Sequence, residues 1–172
     1  MKKIIYLTIV AIGLLPLSAC IKNPLLNLGT GTVGSGTWTY AGVKDTATSC
    51  VYSPGTGNEG MSGSNYSNSF ANYTTIRCGF LDTLFAGTYT IVPTTTNIGP
   101  HQMSFEIDYG LSGSNGNSWY STGLGGQTVN VSISGNKVTI TGANISIYQI
   151  PLTGNPNASD TSTLSLNLTA YY

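Results

Sequence analysis

Alternation with a period of two constrains this chain more than any other feature. From His101 to Tyr109 (HQMSFEIDY), Met103, Phe105, Ile107 and Tyr109 share one parity, while Gln102, Ser104, Glu106 and Asp108 share the other. Successive side chains of a strand point to opposite faces, so this segment reads as a strand with one buried and one wet face. Gln127 to Ser134 repeats the pattern with Val129, Val131 and Ile133. Gly135-Asn136 then supplies a tight hairpin turn, since both residues tolerate positive φ. The return strand presents Val138, Ile140, Ile145 and Ile147, and Ser162 to Ala170 turns Leu164, Leu166 and Leu168 inward. Shorter strand candidates are Thr37 to Tyr40, Val43 to Tyr52, Tyr73 to Phe80 and Gly87 to Pro93. The Pro- and Gly-rich stretch Ser53 to Asn65 (SPGTGNEGMSGSN) is expected to be a long turn without regular pairing.

Eight or nine short strands with no helical period predict an all-β chain: a single antiparallel β-sandwich, or a partly closed barrel, over residues 37–172. Alternating rather than continuous apolar runs argue against a parallel α/β sheet. Only 7% of residues are charged, with six Lys+Arg against six Asp+Glu. No basic excess exists to neutralise phosphates, which excludes nucleic acid as a partner. A hydrophobic content of 40% sets the chain apart from disordered sequences.

The N-terminus carries a different signal. Lys2 and Lys3 precede an apolar run, Ile4 to Leu15, that is too short to span a bilayer and reads as a signal-peptide core. Leu17-Ser18-Ala19-Cys20 follows, and it resembles the lipobox of bacterial lipoproteins. The resemblance implies cleavage after residue 19, a diacylglycerol on the Cys20 thiol and acylation of the new amino terminus. Several acyl chains make a stable anchor where one would not. Ile21 is not the Asp that typically retains such proteins at the inner membrane, so the resemblance favours the outer membrane, leaving periplasmic or surface orientation open. Residues 20–36, poor in charge and rich in Gly, Thr and Ser, read as a lipidated Cys followed by a flexible tether.

The strand and turn texture of the mature chain, for instance Gly-Thr-Tyr-Thr-Ile from Gly87 and Gly-Gln-Thr-Val-Asn-Val from Gly126, resembles uncharacterised envelope lipoproteins of the Bacteroidota. That likeness implies cell-envelope placement and no particular activity. Asp45-Thr46-Ala47 and Asp82-Thr83-Leu84 resemble the Asp-Thr-aliphatic O-glycosylation sites of the same phylum. With Cys20 taken by lipid, Cys50 and Cys78 remain, and an even pair in an oxidising envelope predicts a disulfide between them.

Catalytic signals are sparse. A single histidine, His101, follows Pro100 at a strand start and is expected to be an exposed loop residue. No nucleophile elbow, P-loop or His-Glu-x-x-His motif occurs. Glu106 and Asp108 form the one close carboxylate pair, on the polar side of their strand, and offer the alternative of a small envelope hydrolase. The Gly110 to Asn117 loop is conceivable as a calcium ligand set but lacks a spaced run of acids; no metal or other cofactor is expected. Aromatics are the remaining clue. Trp119 and Tyr120 adjoin that loop, and flat rings flanked by Asn and Ser suit sugar stacking or a protein contact. At most one of the two can be buried, since adjacent strand residues face opposite ways. The expectation is a non-catalytic envelope module for binding or structure, meeting a neutral glycan or an envelope protein through aromatics and neutral amides rather than charges.

Overall fold

The computed structural model describes residues 33–53, 59–66, 72–81, 83–94, 96–111, 117–150 and 160–172. The signal segment 1–19, Cys20 and most of the expected tether lie outside these residues. The strands, in chain order, are β1 (Ser35–Tyr40), β2 (Val43–Thr46), β3 (Ser49–Ser53), β4 (Glu59–Tyr66), β5 (Asn72–Phe80) and β6 (Gly87–Ile91). They continue as β7 (Gln102–Leu111), β8 (Asn117–Ser121), β9 (Thr128–Ser134), β10 (Lys137–Ile150) and β11 (Thr161–Tyr171), with one 3₁₀ turn at Leu124–Gly126. The chain is all-β, as the alternation requires.

These strands form one 11-stranded sheet in the order β2-β1-β11-β10-β9-β6-β7-β5-β4-β3, with β8 off that path and paired to both β10 and β7. The pairings are antiparallel except β6 with β7, which run parallel at Thr90–Gln102 and Ile91–Met103. The two ends of the order meet. Gly34 bridges Cys50, Cys50 N–H donates to Gly34 O at 3.2 Å, and Ala47 N–H donates to Gly36 O at 2.8 Å. The sheet therefore rolls on itself, sandwich-like, around one interior. It is not a clean barrel, because β6 and β9 form an arm beside the direct β7–β8–β10 route.

Two expectations about the chain's layout are corrected here. Ser35 and Gly36, read as tether, already pair with Thr169 and Leu168. A Cβ at Gly34 would stand 2.4 Å from Thr169 O and 2.6 Å from Cys50 O, so the closure needs a residue without a side chain. The second correction is β4, which runs through the expected turn and pairs with β3 and β5. Gly63 does not break this strand; it makes it fit. A Cβ there would meet Cys50 Sγ, Ile76 Cγ2 and Leu168 Cδ2, each at 3.3 Å.

The interior is filled by the predicted inward set. Met103, Phe105 and Ile107 of β7, Ile140, Ile145 and Ile147 of β10, and Leu164 and Leu168 of β11 are almost wholly buried. The hairpin turn falls at Gly135–Asn136, with Gly135 at φ 61°. Outward positions are polar: Thr128, Asn130, Ser132 and Ser134 on β9, and Thr161, Thr163, Ser165, Asn167 and Thr169 on β11. That polarity is the reverse of a strand that faces lipid.

The expected disulfide is absent. Cys50 and Cys78 are free and buried. Register explains this: Cys50 opposes Gly63 and Cys78 opposes Met61, with the whole of β4 between them. Two strand spacings amount to roughly 9–10 Å, beyond the ~7 Å within which Cα atoms can be bridged. Burial pushes the Cys50 thiol up to about 11, and burial together with nearby Cys50 raises Cys78 as well. Both thiols thus stay protonated in the fold where unfolded thiols, near 9.0, ionise. Stability is intact below that point and falls as pH rises from about 9 toward about 11. At pH 8 a thiol-specific disulfide reagent should label neither cysteine in native protein, and both after denaturation. Fast labelling of the native protein would contradict this packing.

Candidate functional site

The outer face of β5, β7, β8 and β10 carries a transverse row fixed by register. Arg77 opposes Glu106, Glu106 opposes Tyr120, and Tyr120 opposes Tyr148. Asp108, two residues along β7, opposes Ser118 of β8. Cross-strand neighbours on one face have side chains close enough to interact. Here they do.

Arg77 Nη1 lies 2.9 Å from Asp108 Oδ2 and 3.4 Å from Glu106 Oε2. The Ser118 hydroxyl donates to Asp108 Oδ1 at 2.6 Å. Tyr120 and Tyr148 form a tilted ring pair with centroids 5.9 Å apart. Burial against the sheet raises the Tyr120 pKa; the Ser118 hydrogen bond offsets part of this, and the Glu106 and Asp108 charges add to the rise. The phenol therefore stays neutral and remains a donor at physiological pH.

The structure brings together three of the residues singled out from sequence, Glu106, Asp108 and Tyr120, and separates the fourth. Trp119 is 6% exposed and belongs to the core. Its place as an exposed ligand contact is therefore corrected: its parity matches Ser121, which is fully buried, while Tyr120 takes the outer face. Sequence reasoning missed Arg77, Ser118 and Tyr148. Strand parity alone marks them as outward, but only the register shows that they converge. The patch is also less charge-free than expected, since an arginine and two carboxylates flank the rings.

Other candidates fall elsewhere. His101 is exposed in a turn at φ 54°, its ring 5.2 Å from that of Tyr89. Residues 112–116 of the conceivable calcium loop lie outside the described residues. Among the described residues, no three His, Cys, Asp or Glu side chains stand close enough to hold a metal ion.

Chemically, the outer row offers two aromatic faces for apolar stacking, a phenol and a serine hydroxyl, and carboxylate oxygens that accept hydroxyl protons. Comparison with known proteins adds nothing to this inventory. No family model, curated protein or solved structure matches the chain.

Proposed function

We propose that this protein is a lipid-anchored, non-catalytic module of the bacterial outer membrane that binds a neutral glycan on the face bearing Tyr120 and Tyr148. The observation that carries the reading is the row Arg77–Glu106–Tyr120–Tyr148, where paired rings sit beside hydroxyl-accepting carboxylates on an otherwise Thr-, Ser- and Asn-rich face. Anchoring rests on Leu17-Ser18-Ala19-Cys20 after a short apolar segment. Outward strand polarity supports attachment through lipid rather than by strands crossing the bilayer.

The hydrolase alternative finds less support. A glycosidase acid must hold a proton near neutral pH, usually through an apolar site. Neither carboxylate lies in such a site: both are half-buried on the outer face, and Arg77 pairs with each of them. Turnover on a glycan panel that is lost in Glu106→Gln and Asp108→Asn would establish the enzyme over the module.

Two experiments test the proposal. Globomycin should block cleavage and leave a larger precursor in the membrane, and Cys20→Ala should abolish acyl labelling of the protein; unchanged processing to an unlabelled, soluble product would refute the anchor. A glycan array and an envelope pull-down with wild type, Tyr120→Ala and Tyr148→Ala test the site. Each substitution should weaken glycan capture about tenfold, the loss expected from one aromatic stacking contact. Capture of an envelope protein in place of any glycan, through the same two tyrosines, would replace the ligand class.

A further inference from the structure

Inward positions are apolar along most of each strand and turn polar at one end of the rolled sheet. Asn65 of β4, Thr74 of β5 and Tyr109 of β7 are direct register partners across three strands. Asn65 Nδ2 donates to Asp45 Oδ1 on β2. The Tyr40 ring of β1 lies 5.7 Å from that of Tyr109, and its hydroxyl shares a hydrogen bond with Thr74. Gln149 Nε2 of β10 donates to the Tyr109 hydroxyl at 2.9 Å. Tyr40 is buried and the other five are half-buried, so this end is reachable from solvent. Further along the same faces, β5 and β7 end instead on the paired, buried Phe80 and Met103.

A second observation lies one pleat from this ring. The indole Nε1 atoms of Trp38 and Trp119 are buried with no hydrogen-bond partner. Trp38 is the register partner of Asp45, and Trp119 that of Gln149, so each indole shares a face with a member of the ring. Buried donors are nearly always satisfied in native proteins, and an unmet one costs as much as a lost hydrogen bond. Beside a half-exposed polar ring stand two such donors with no acceptor among the described residues.

We infer that this end of the interior is a second binding site, taking a single neutral saccharide unit. Asp45, Asn65 and Gln149 are a carboxylate and two amides, able to accept and donate to vicinal hydroxyls. Tyr40 and Tyr109 offer aromatic faces for the sugar's C–H surface. The chemistry selects against other ligands. An anion would meet the Asp45 carboxylate without a cation in the ring. A metal ion would find too few donors, because no cluster of three His, Cys, Asp or Glu exists among the described residues. The site is separate from the outer row, being on the opposite face of the same strands.

The chain's two tryptophans give two indole N–H signals, which report on the site directly. The ¹⁵N-labelled full-length protein should be titrated with glucose, galactose, mannose and N-acetylglucosamine at millimolar concentrations. At least one sugar should shift both indole signals saturably. Asn65→Ala and Gln149→Ala should each weaken that binding about tenfold, the loss of one hydrogen-bonding group in a partly buried site. Tyr109→Phe, which keeps the ring and the fold but removes the hydroxyl that orients Gln149, should weaken it too and carries the test if either alanine variant unfolds. Tyr120→Ala should leave it unchanged. No saturable shift with any of the four sugars would overturn the inference. So would shifts that survive in all three interior variants, or that vanish in Tyr120→Ala, which would assign them to the outer face.

Discussion

Phe105→Ala should lower the unfolding free energy by about 3–5 kcal/mol, read as a shifted denaturation midpoint at unchanged slope. Phe105 is 0% exposed at the centre of β7, where its register partner is the equally enclosed Cys78. Removing the ring forfeits its transfer free energy and leaves a cavity that a rolled sheet, held by ladders on both sides, cannot collapse to fill. Against a typical total stability of about 5–15 kcal/mol this loss is enough to leave the domain marginal. A change under about 1 kcal/mol would mean that the interior is not packed as described.

Ser121→Ala removes a single oxygen and should cost nearly as much, about 2–4 kcal/mol. On one edge of β7 the pairing passes from β6, which ends at Met103, to β8, which begins at Glu106. Ser104 and Phe105 sit in that gap. The Phe105 N–H donates to Ser121 Oγ at 3.0 Å, and Ser121 Oγ donates to Val92 O at 2.7 Å. Thr94 closes the other half by donating its hydroxyl to Phe105 O at 3.1 Å. Ser121 is fully buried, so its loss strands a backbone donor and a backbone acceptor away from water. Ser118→Ala, which removes a hydroxyl from the outer face, is the control and should stay within about 1 kcal/mol of wild type. Equal effects of the two serine substitutions would remove Ser121's role as the latch. Phe105 and Ser121 are in contact, so their effects should not add.

What the sequence made legible follows from distance along the chain. Strand parity is local, so the inward sets of β7, β9 and β11 and the Gly135–Asn136 hairpin could be read directly. β4 could not. Gly63 looks like a turn residue until the neighbours that require its smallness are known, and of these Cys50 and Leu168 come from strands that are not its hairpin partner β5. Cysteine parity and compartment argue for a bridge between Cys50 and Cys78, but neither can show that a strand intervenes. For Trp119 and Tyr120, alternation demands that the pair split between faces; which ring turns inward depends on registers with β7 and β10. Glu106 and Asp108 were visible as a pair, whereas Arg77, their ion-pair partner, is contributed across the β5–β7 ladder. The interior ring is hidden for the same reason, since its six members come from β1, β2, β4, β5, β7 and β10.

Glycan binding through neutral contacts on the outer face is tested most directly by calorimetric titration of the best array ligand at about 50 and about 300 mM salt, with wild type and Tyr120→Ala. The three charges beside Tyr120 are already paired with one another, and a neutral ligand releases few ions, so affinity should change less than about twofold across that range. Tyr120→Ala should weaken binding about tenfold at both salt concentrations. An affinity that collapses at the higher salt, or that is the same with and without the Tyr120 ring, would contradict the account.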